Sequence, residues 1–248
     1  MTTSRNVGPK VAMASITKRE DITSDLWKVW LRPDVPFNFK PGQYCTIGVD
    51  GLERPYSIVS SPHEDEIELF IELVPPPDGN LTPVLYDLGV GQQVTLRPRA
   101  KGIFTLKDQY THHLMMSTVT GVVPYISILR SYLHDKRVGH KFYVLEGASY
   151  FDELTYDKEL EELARQYPDS IKYVPTVSRP SDERNAGWTG EIGRVNALLE
   201  KYVEMFNLRS EETLVYACGH PGMIEDVKVR GAAIGFEVQE ERFWKDDD

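Results

Sequence analysis

The chain changes its sequence grammar once, near residue 108, and that change constrains its fold more than any other feature. Residues 8–106 carry short strand-like runs at 10–16, 26–31, 44–49, 57–60, 67–73 and 93–98. Turn chemistry separates them: Lys40-Pro41-Gly42, Asp50-Gly51, the proline-rich stretch 75–80, and Gly89-Val90-Gly91. Six short strands at this spacing predict an all-β antiparallel barrel. One short helix is expected at 82–88, with Thr82 as N-cap and Pro83 as first helical residue. Residues 111–248 alternate instead. Strands at 113–117, 141–147, 171–176, 213–217 and 236–241 are interleaved with helices at 124–133, 155–167, 194–206 and 221–231. This rhythm predicts an α/β domain with a doubly wound parallel sheet. The expected domains are therefore 1–108 and 109–248.

The four residues Arg54-Pro55-Tyr56-Ser57 bring together a fixed cation, a flat ring and a small hydroxyl. An arginine grips a phosphate through two parallel hydrogen bonds. Tyr56 lies two residues along an extended chain, so it shares a face with Arg54. Its ring suits contact with a flat heterocycle, and Ser57 can donate to or accept from a ring nitrogen. A flavin nucleotide offers all three partners. The same residues also fit an ordinary edge strand, with Pro55 breaking the ladder and Arg54 in solvent.

The net charge of −10 argues against a general nucleic-acid binder. The charge is uneven: residues 1–108 hold 12 basic and 14 acidic residues, whereas 109–248 hold 16 and 24. Within the first part, the basic cluster Arg97, Arg99 and Lys101 either guides an acidic partner or lies on a solvated turn. No apolar run approaches a membrane helix in length, and residues 1–6 lack the apolar core of a secretion signal. Cys45 and Cys218 are the two cysteines, far apart, with neither metal-type spacing nor a disulfide framework. The six histidines show no ligand spacing. A reducing, cytoplasmic setting and a metal-free protein without an iron–sulfur cluster are the expectations. The sequence carries no signal of oligomeric state.

Taken together, the strand motif on a barrel and the α/β half that follows resemble the ferredoxin–NADP reductase family, in its short bacterial branch. The resemblance runs from Pro41-Gly42-Gln43-Tyr44 to Arg242-Phe243-Trp244. It implies an FAD bound through Arg54, Pro55, Tyr56 and Ser57, with the arginine on phosphate, the tyrosine over the isoalloxazine and the hydroxyl toward flavin N5. Ile71, Leu73 and Val74 match the strand beside the flavin. Gly79-Asn80-Leu81-Thr82 matches the turn whose amides and hydroxyl hold the pyrophosphate, although Thr82 also suits plain capping. Phe243 and Trp244 match the terminal aromatics that pack by the flavin, and equally suit anchoring of a last strand.

In the second half, residues 117–124 occupy the place of the family's glycine-rich nucleotide turn, with Thr118, Thr120 and Gly121 as candidate contacts. Ser117 and Val119 stand where glycine is usual. A side chain at such a turn blocks close backbone approach. Ser178 and Arg179 match the segment that contacts the 2′-phosphate of NADP. Ser149 and Glu191 stand where the bacterial branch often has arginines, which leaves NAD open. Cys218 resembles the cysteine near the nicotinamide; a lone buried cysteine otherwise serves packing.

The resemblance implies an enzyme passing electrons between NADP(H) and ferredoxin or flavodoxin, through hydride transfer between nicotinamide C4 and flavin N5. Ser57, Cys218 and Glu241 are its catalytic candidates. Two alternatives follow from the altered turn and Glu191. One is an NADH-dependent reductase component serving an oxygenase, or a flavin or quinone reductase. The other is an electron-transfer subunit active only inside a larger complex.

Overall fold

The computed structural model describes residues 11–242; the expectations for Phe243 and Trp244 lie outside them. The first sheet contains β1 (Ala12–Asp21), β2 (Leu26–Pro33), β3 (Tyr44–Val49), β4 (Leu52–Ser57), β5 (Ile67–Glu72) and β6 (Gln93–Leu96), with α1 (Thr82–Tyr86) between the last two. Its order is β4-β3-β6-β1-β2-β5, with every pair antiparallel. The two end strands nearly meet. Just past β4, the Val59 amide donates to the Glu68 carbonyl of β5 at 2.9 Å. That bond almost closes the barrel. Alternation fills the interior: Trp27, Val29 and Leu31 point inward from β2, Ala14 and Ile16 from β1, and Val94 and Leu96 from β6.

Two local expectations are corrected here. The strand expected at 57–60 ends at Ser57, and Arg54-Pro55-Tyr56-Ser57 lies within β4. Ile58 and Val59 look like strand because both are fully buried. The Ile58 amide makes one last bond in the register of β3 and β4, to Gln43 O, and the Val59 amide then leaves that ladder and crosses to β5. The second correction concerns Thr82. Its hydroxyl donates to Val74 O and accepts from Val74 N, each at 3.0 Å. It therefore ties β5's exit to α1 and makes no cap; Leu81 occupies the N-cap position, and the helix stops at Tyr86.

The second sheet contains β7 (His112–Thr118), β8 (Lys141–Ala148), β9 (Ile171–Val177), β10 (Glu191–Ile192), β11 (Thr213–Cys218) and β12 (Glu237–Glu241). Its order is β10-β9-β8-β7-β11-β12, with every pair parallel. The helices are α2 (Val123–His134), α3 (Asp157–Gln166), α4 (Leu199–Met205) and α5 (Pro221–Ala233). The helix expected at 194–206 is divided, with a 3-10 turn over Val195–Leu198 preceding α4. The two-residue β10 is not visible in the sequence pattern, being shorter than any periodicity can show. None of the described helices is long and apolar enough to cross a membrane.

Buried parallel strands need apolar residues on both faces. Met115, Phe142 and Val144 face one core, whereas Leu114, Met116 and Leu145 face the other. The first of these cores also takes Leu26, Val59, Phe70 and Phe104 from the barrel side. Helix α2 lies in its middle, with Val123, Pro124, Tyr125, Ile126, Ser127, Ile128 and Leu129 all buried. A helix apolar over most of its circumference is one enclosed on most sides, and α2 is enclosed by sheet and barrel together. Leu129→Ala, at a position 0% exposed, should lower unfolding free energy by about 2–5 kcal/mol without changing far-UV circular dichroism. A loss under about 1 kcal/mol in urea titration would show that α2 does not anchor this core.

Candidate functional site

A cleft of about 860 Å³ opens at the carboxyl ends of the parallel strands. It lies where chain order reverses: β7, β8, β9 and β10 run one way and β11, β12 the other. Open α/β sheets bind ligands at such switch points. Its walls include residues 118–120 at the end of β7, 147–149 at the end of β8, Ser178 and Arg179 after β9, residues 193–196 after β10, and residues 219–223 after β11. The barrel supplies Asp25, Leu26 and Glu72.

The floor is a clasp between β7 and β11. The His220 amide donates to the Thr118 hydroxyl at 2.8 Å. Gly219 has φ +127°, and a Cβ there would lie 2.2 Å from that hydroxyl. A Cβ on Gly121 would lie 2.1 Å from the Cys218 carbonyl oxygen. Glycine is required at both positions, because only bare backbone allows the two loops to touch. Thr118 and Thr120 line the cleft, while Gly121 is buried beneath it. The amino end of α5 opens onto the same space, where the positive end of the helix dipole favours an anion, although the Gly222 amide is already taken by His220 Nδ1 at 3.0 Å and those of Met223 and Ile224 by the His220 carbonyl.

The two departures from glycine separate in space. Ser117 is fully buried within β7 and is no wall of the cleft. Val119 is on the wall, and its φ is +43°. A β-branched residue in left-handed backbone costs on the order of 1–3 kcal/mol. The turn thus keeps a glycine's conformation while carrying a valine's side chain.

At the far end, Ser149, Ser178, Arg179 and Arg194 line the cleft and Glu191 does not. The Glu191 carboxylate is bound by Lys201 and by the Tyr202 hydroxyl, which hold it below the usual carboxylate range. Arg179 donates to the Tyr150 hydroxyl at 2.7 Å, and Arg184 stacks over the same ring at 3.8 Å while pairing with Asp152. Asn185 pins the long 180–188 loop by donating to Ser149 O and Arg179 O, both at 2.9 Å.

On the barrel, Arg54 and Pro55 are exposed in β4, Tyr56 is half-buried and Ser57 is buried. Arg54 donates to the Glu53 carbonyl at 2.8 Å and forms no ion pair among the described residues. The Ser57 hydroxyl, 7% exposed, has no hydrogen-bond partner among them. An unpaired buried hydroxyl carries a desolvation penalty of about 1–3 kcal/mol, so it awaits a partner the protein does not itself supply. Ser57 pairs in register with Tyr44, and Tyr44 and Glu241 both lie at 3.1 Å from the place of a Gly102 Cβ. Glu241 Oε2 is likewise buried without a partner, and burial pushes its carboxyl up to about 8. The two unpartnered groups come from opposite halves. Cys218, the register partner of Glu241 and Ser117, is fully buried. Burial holds its thiol well above the usual thiol range, so it stays protonated.

Other expected positions are less available to a ligand. Ile71 and Leu81 are buried in the barrel core, with Leu73 packed against it. A Cβ on Gly79 would lie 1.7 Å from Val74 O, and the Gly79 amide already donates to Pro75 O. Asn80 is exposed. Arg97, Arg99 and Lys101 are all exposed; Arg97 is paired with Glu53 at 2.6 Å, whereas Arg99 and Lys101 form no ion pair among the described residues. His113 is buried against His140, and burial lowers it to about 3. No group of three or more potential metal ligands occurs among the described residues.

Glu146 was not legible in the sequence, where one glutamate closing an apolar strand reads as a strand end. It lies in β8 immediately before the cleft wall, fully buried, with Oε1 unpartnered among the described residues. Burial pushes it from 4.5 to about 8, only partly offset by the Tyr173 hydroxyl, which donates to Oε2 at 2.8 Å. The folded chain therefore holds this proton more tightly than the unfolded chain does. Its contribution to stability is full below pH 4.5 and is lost as pH rises to about 8. Glu146→Gln should flatten that decline by up to about 1.4 kcal/mol per pH unit. Denaturation at pH 5 and pH 8 checks it, with some slope remaining from Glu241, which titrates in the same sense. An undiminished slope in the variant would place the titrating group elsewhere.

Comparison with known proteins agrees with this geometry. Residues 115–229 match the family model described as the oxidoreductase NAD-binding domain. The flavodoxin/ferredoxin–NADP reductase of Escherichia coli is 31% identical over 225 residues, covering 86% of each chain. The ferredoxin–NADP reductase of Pseudomonas aeruginosa is 29% identical over 213 residues, covering 81% of each. In three dimensions the fold is similar to that of a ferredoxin NADP+ reductase from Neisseria gonorrhoeae solved with FAD and NADP. That match has a TM-score of 0.81 at 22% identity and covers 96% of this chain and 100% of the other. The chain belongs to the flavodoxin/ferredoxin–NADP reductase family of flavin-dependent oxidoreductases.

Proposed function

We propose that residues 1–108 bind FAD, that residues 109–248 bind NADP(H), and that the protein passes electrons between NADP(H) and a one-electron carrier, ferredoxin or flavodoxin. The observation that carries this reading is the buried Ser57 hydroxyl, unpartnered among the described residues, on the strand that also presents Arg54 and Tyr56. A flavin fits that set: Arg54 meets phosphate, Tyr56 meets the ring and Ser57 meets a ring nitrogen. When bound, FAD supplies the link between two-electron hydride exchange with nicotinamide and one-electron exchange with the carrier.

The chain's own groups then have defined tasks. Tyr56 orients the ring, and Ser57 holds a hydrogen bond that otherwise goes unmade. Cys218, fully buried and off the cleft, contributes neutral, compact packing just behind the loop at 219–223, because its thiol keeps its proton. Glu241, pushed up to about 8, holds a proton on its carboxyl at neutral pH beside the place where the two halves meet. Thr118, Thr120 and the amino end of α5 face the pyrophosphate. Ser178, Arg179 and Arg194 face the 2′-phosphate, and Glu191, turned to Lys201 and Tyr202, leaves their positive field intact. That arrangement favours NADP over NAD. Arg99 and Lys101 are placed to steer an acidic carrier. A reducing, cytoplasmic setting suits two buried, unpaired cysteines.

One observation favours a second reading. The Val119 side chain crowds the nucleotide turn, as suits a reductase component or subunit whose own nucleotide binding is attenuated. Val119→Gly should tighten NADP⁺ binding by roughly three- to tenfold, about 0.7–1.4 kcal/mol. Calorimetric titration of both proteins measures this, and equal affinities would mean that Val119 does not restrict the turn.

The direct test is the anaerobic absorption spectrum of the purified protein before and after NADPH. A yellow protein bleached by NADPH faster than by NADH is expected. A yellow protein bleached by neither nucleotide supports the second reading, and a colourless protein that takes up no added flavin removes both. Tyr56→Ala should shift the visible flavin bands and slow reduction about tenfold or more, while costing less than about 1.5 kcal/mol of stability. Unchanged bands and rate would mean that Tyr56 does not face the ring.

A further inference from the structure

Helix α2 carries an arginine that grips three other elements. Arg130 Nη1 donates to Glu68 Oε2 of β5 at 2.7 Å, and its Nε and Nη2 donate to the two carboxylate oxygens of Glu159 in α3 at 2.7 and 2.8 Å. Glu64, on the loop before β5, stands 3.5 Å from Nη1. The second Glu68 oxygen accepts from the Tyr156 hydroxyl at 2.8 Å. Glu68 and Tyr156 are each 3% exposed. Ser127, one turn earlier on α2, donates to the Ser60 carbonyl at 2.7 Å, and the Ser60 hydroxyl accepts from the Glu68 amide. The Glu68 carbonyl, in turn, accepts the Val59 amide that nearly closes the barrel.

Each element so joined leads directly to a wall of the site. Strand β5 runs from Glu68 to Glu72 on the cleft. Helix α2 follows the turn at 118–120, and Tyr156 follows the wall residues Ser149 and Glu153. Buried ion pairs are weak contributors to stability, since apolar residues of like volume often serve as well or better. What a forked guanidinium adds is fixed geometry.

We propose that Arg130, Glu68 and Tyr156 form a positioning clamp. It holds the barrel at a set distance from the nucleotide turn and thereby governs how closely nicotinamide approaches the flavin. This rests on the proposed function above. None of the three lines the cleft; they act through β5, α2 and α3. Hydride transfer is sensitive to such spacing, because reacting atoms need to lie about 3–3.5 Å apart and an error near 1 Å costs about a hundredfold.

The test uses two readouts. In the first, cysteines replace Val90 on the barrel and Val229 on α5, which are 65% and 68% exposed, and carry spin labels. Cys45 and Cys218 are fully buried and stay unlabelled. Electron–electron double resonance should give one narrow distance distribution in the parent and a broadened or shifted one in Arg130→Gln. In the second, stopped-flow reduction of the bound flavin by NADPH should slow about tenfold or more in Arg130→Gln and Tyr156→Phe. The NADP⁺ affinity and flavin spectrum should be retained, and Arg130→Lys should recover only part of the rate. If Arg130→Gln does not fold, Tyr156→Phe, which removes a single oxygen, carries both readouts. An unchanged distance distribution with a rate within about twofold of the parent overturns the clamp, even if the melting temperature falls. A parent that neither nucleotide reduces would remove the proposed function, and the distance distributions would still decide the clamp.

Discussion

The contact between the loops after β7 and β11 is the interaction on which the rest of the α/β half depends. Parallel pairing of Thr213–Cys218 with residues 112–117 brings Thr118 beside Gly219 and His220. The Thr118 hydroxyl captures an amide that would otherwise be unpaired at the start of α5, and two glycines supply the clearance. Because the strands diverge in chain order at this point, the helices that follow them leave on opposite faces and a cleft opens between. The cleft is thus a consequence of topology, made sharp by two absent Cβ atoms.

The two halves are joined through helix α2. Its apolar residues serve the sheet on one side and Leu26, Val59, Phe70 and Phe104 on the other. Its polar residues Ser127 and Arg130 reach into the barrel. A helix committed on so many sides has little freedom to shift. It begins just after the turn at 118–120, so the turn inherits that rigidity. Val119 in left-handed backbone is consistent with this: surrounding packing overrides the valine's own preference. At the junction itself the protein leaves polar groups incomplete. Ser57 and Glu241 contribute buried oxygens without partners among the described residues, and burial leaves Glu241 holding its proton.

Much of this was legible in the residues. The change of grammar near residue 108 announced a barrel and a parallel sheet, because strand and helix periods are written locally in the order of apolar side chains. Arg54 and Tyr56 could be placed on one face, and Ser57 on the other, because two-residue alternation fixes which side chains share a face. Other features were not legible. Thr82 has every mark of a helix cap, yet its hydroxyl is used by Val74. Glu191 reads as a negative charge at the nucleotide site, yet Lys201 and Tyr202 turn it aside. Ser117 reads as part of the turn, yet it is sealed inside β7. For Thr82 and Glu191 the deciding partner lies eight or more residues away, and for Ser117 the neighbouring strands β8 and β11 do the burying.

The sequence by itself determined the two architectures, the order of the longer strands and helices (β10 excepted), and the chemical kinds of residue offered to a ligand, since those follow from local periodicity and side-chain type. Only the tertiary structure decided which offers stand. It set Arg179 and Arg194 on the cleft and Glu191 off it, left Ser57 without a partner among the described residues while providing one for Thr82, and buried Glu146 and Glu241 deeply enough to keep their protons. The reason is physical: charge state and hydrogen-bond availability depend on desolvation and on neighbours that folding brings together.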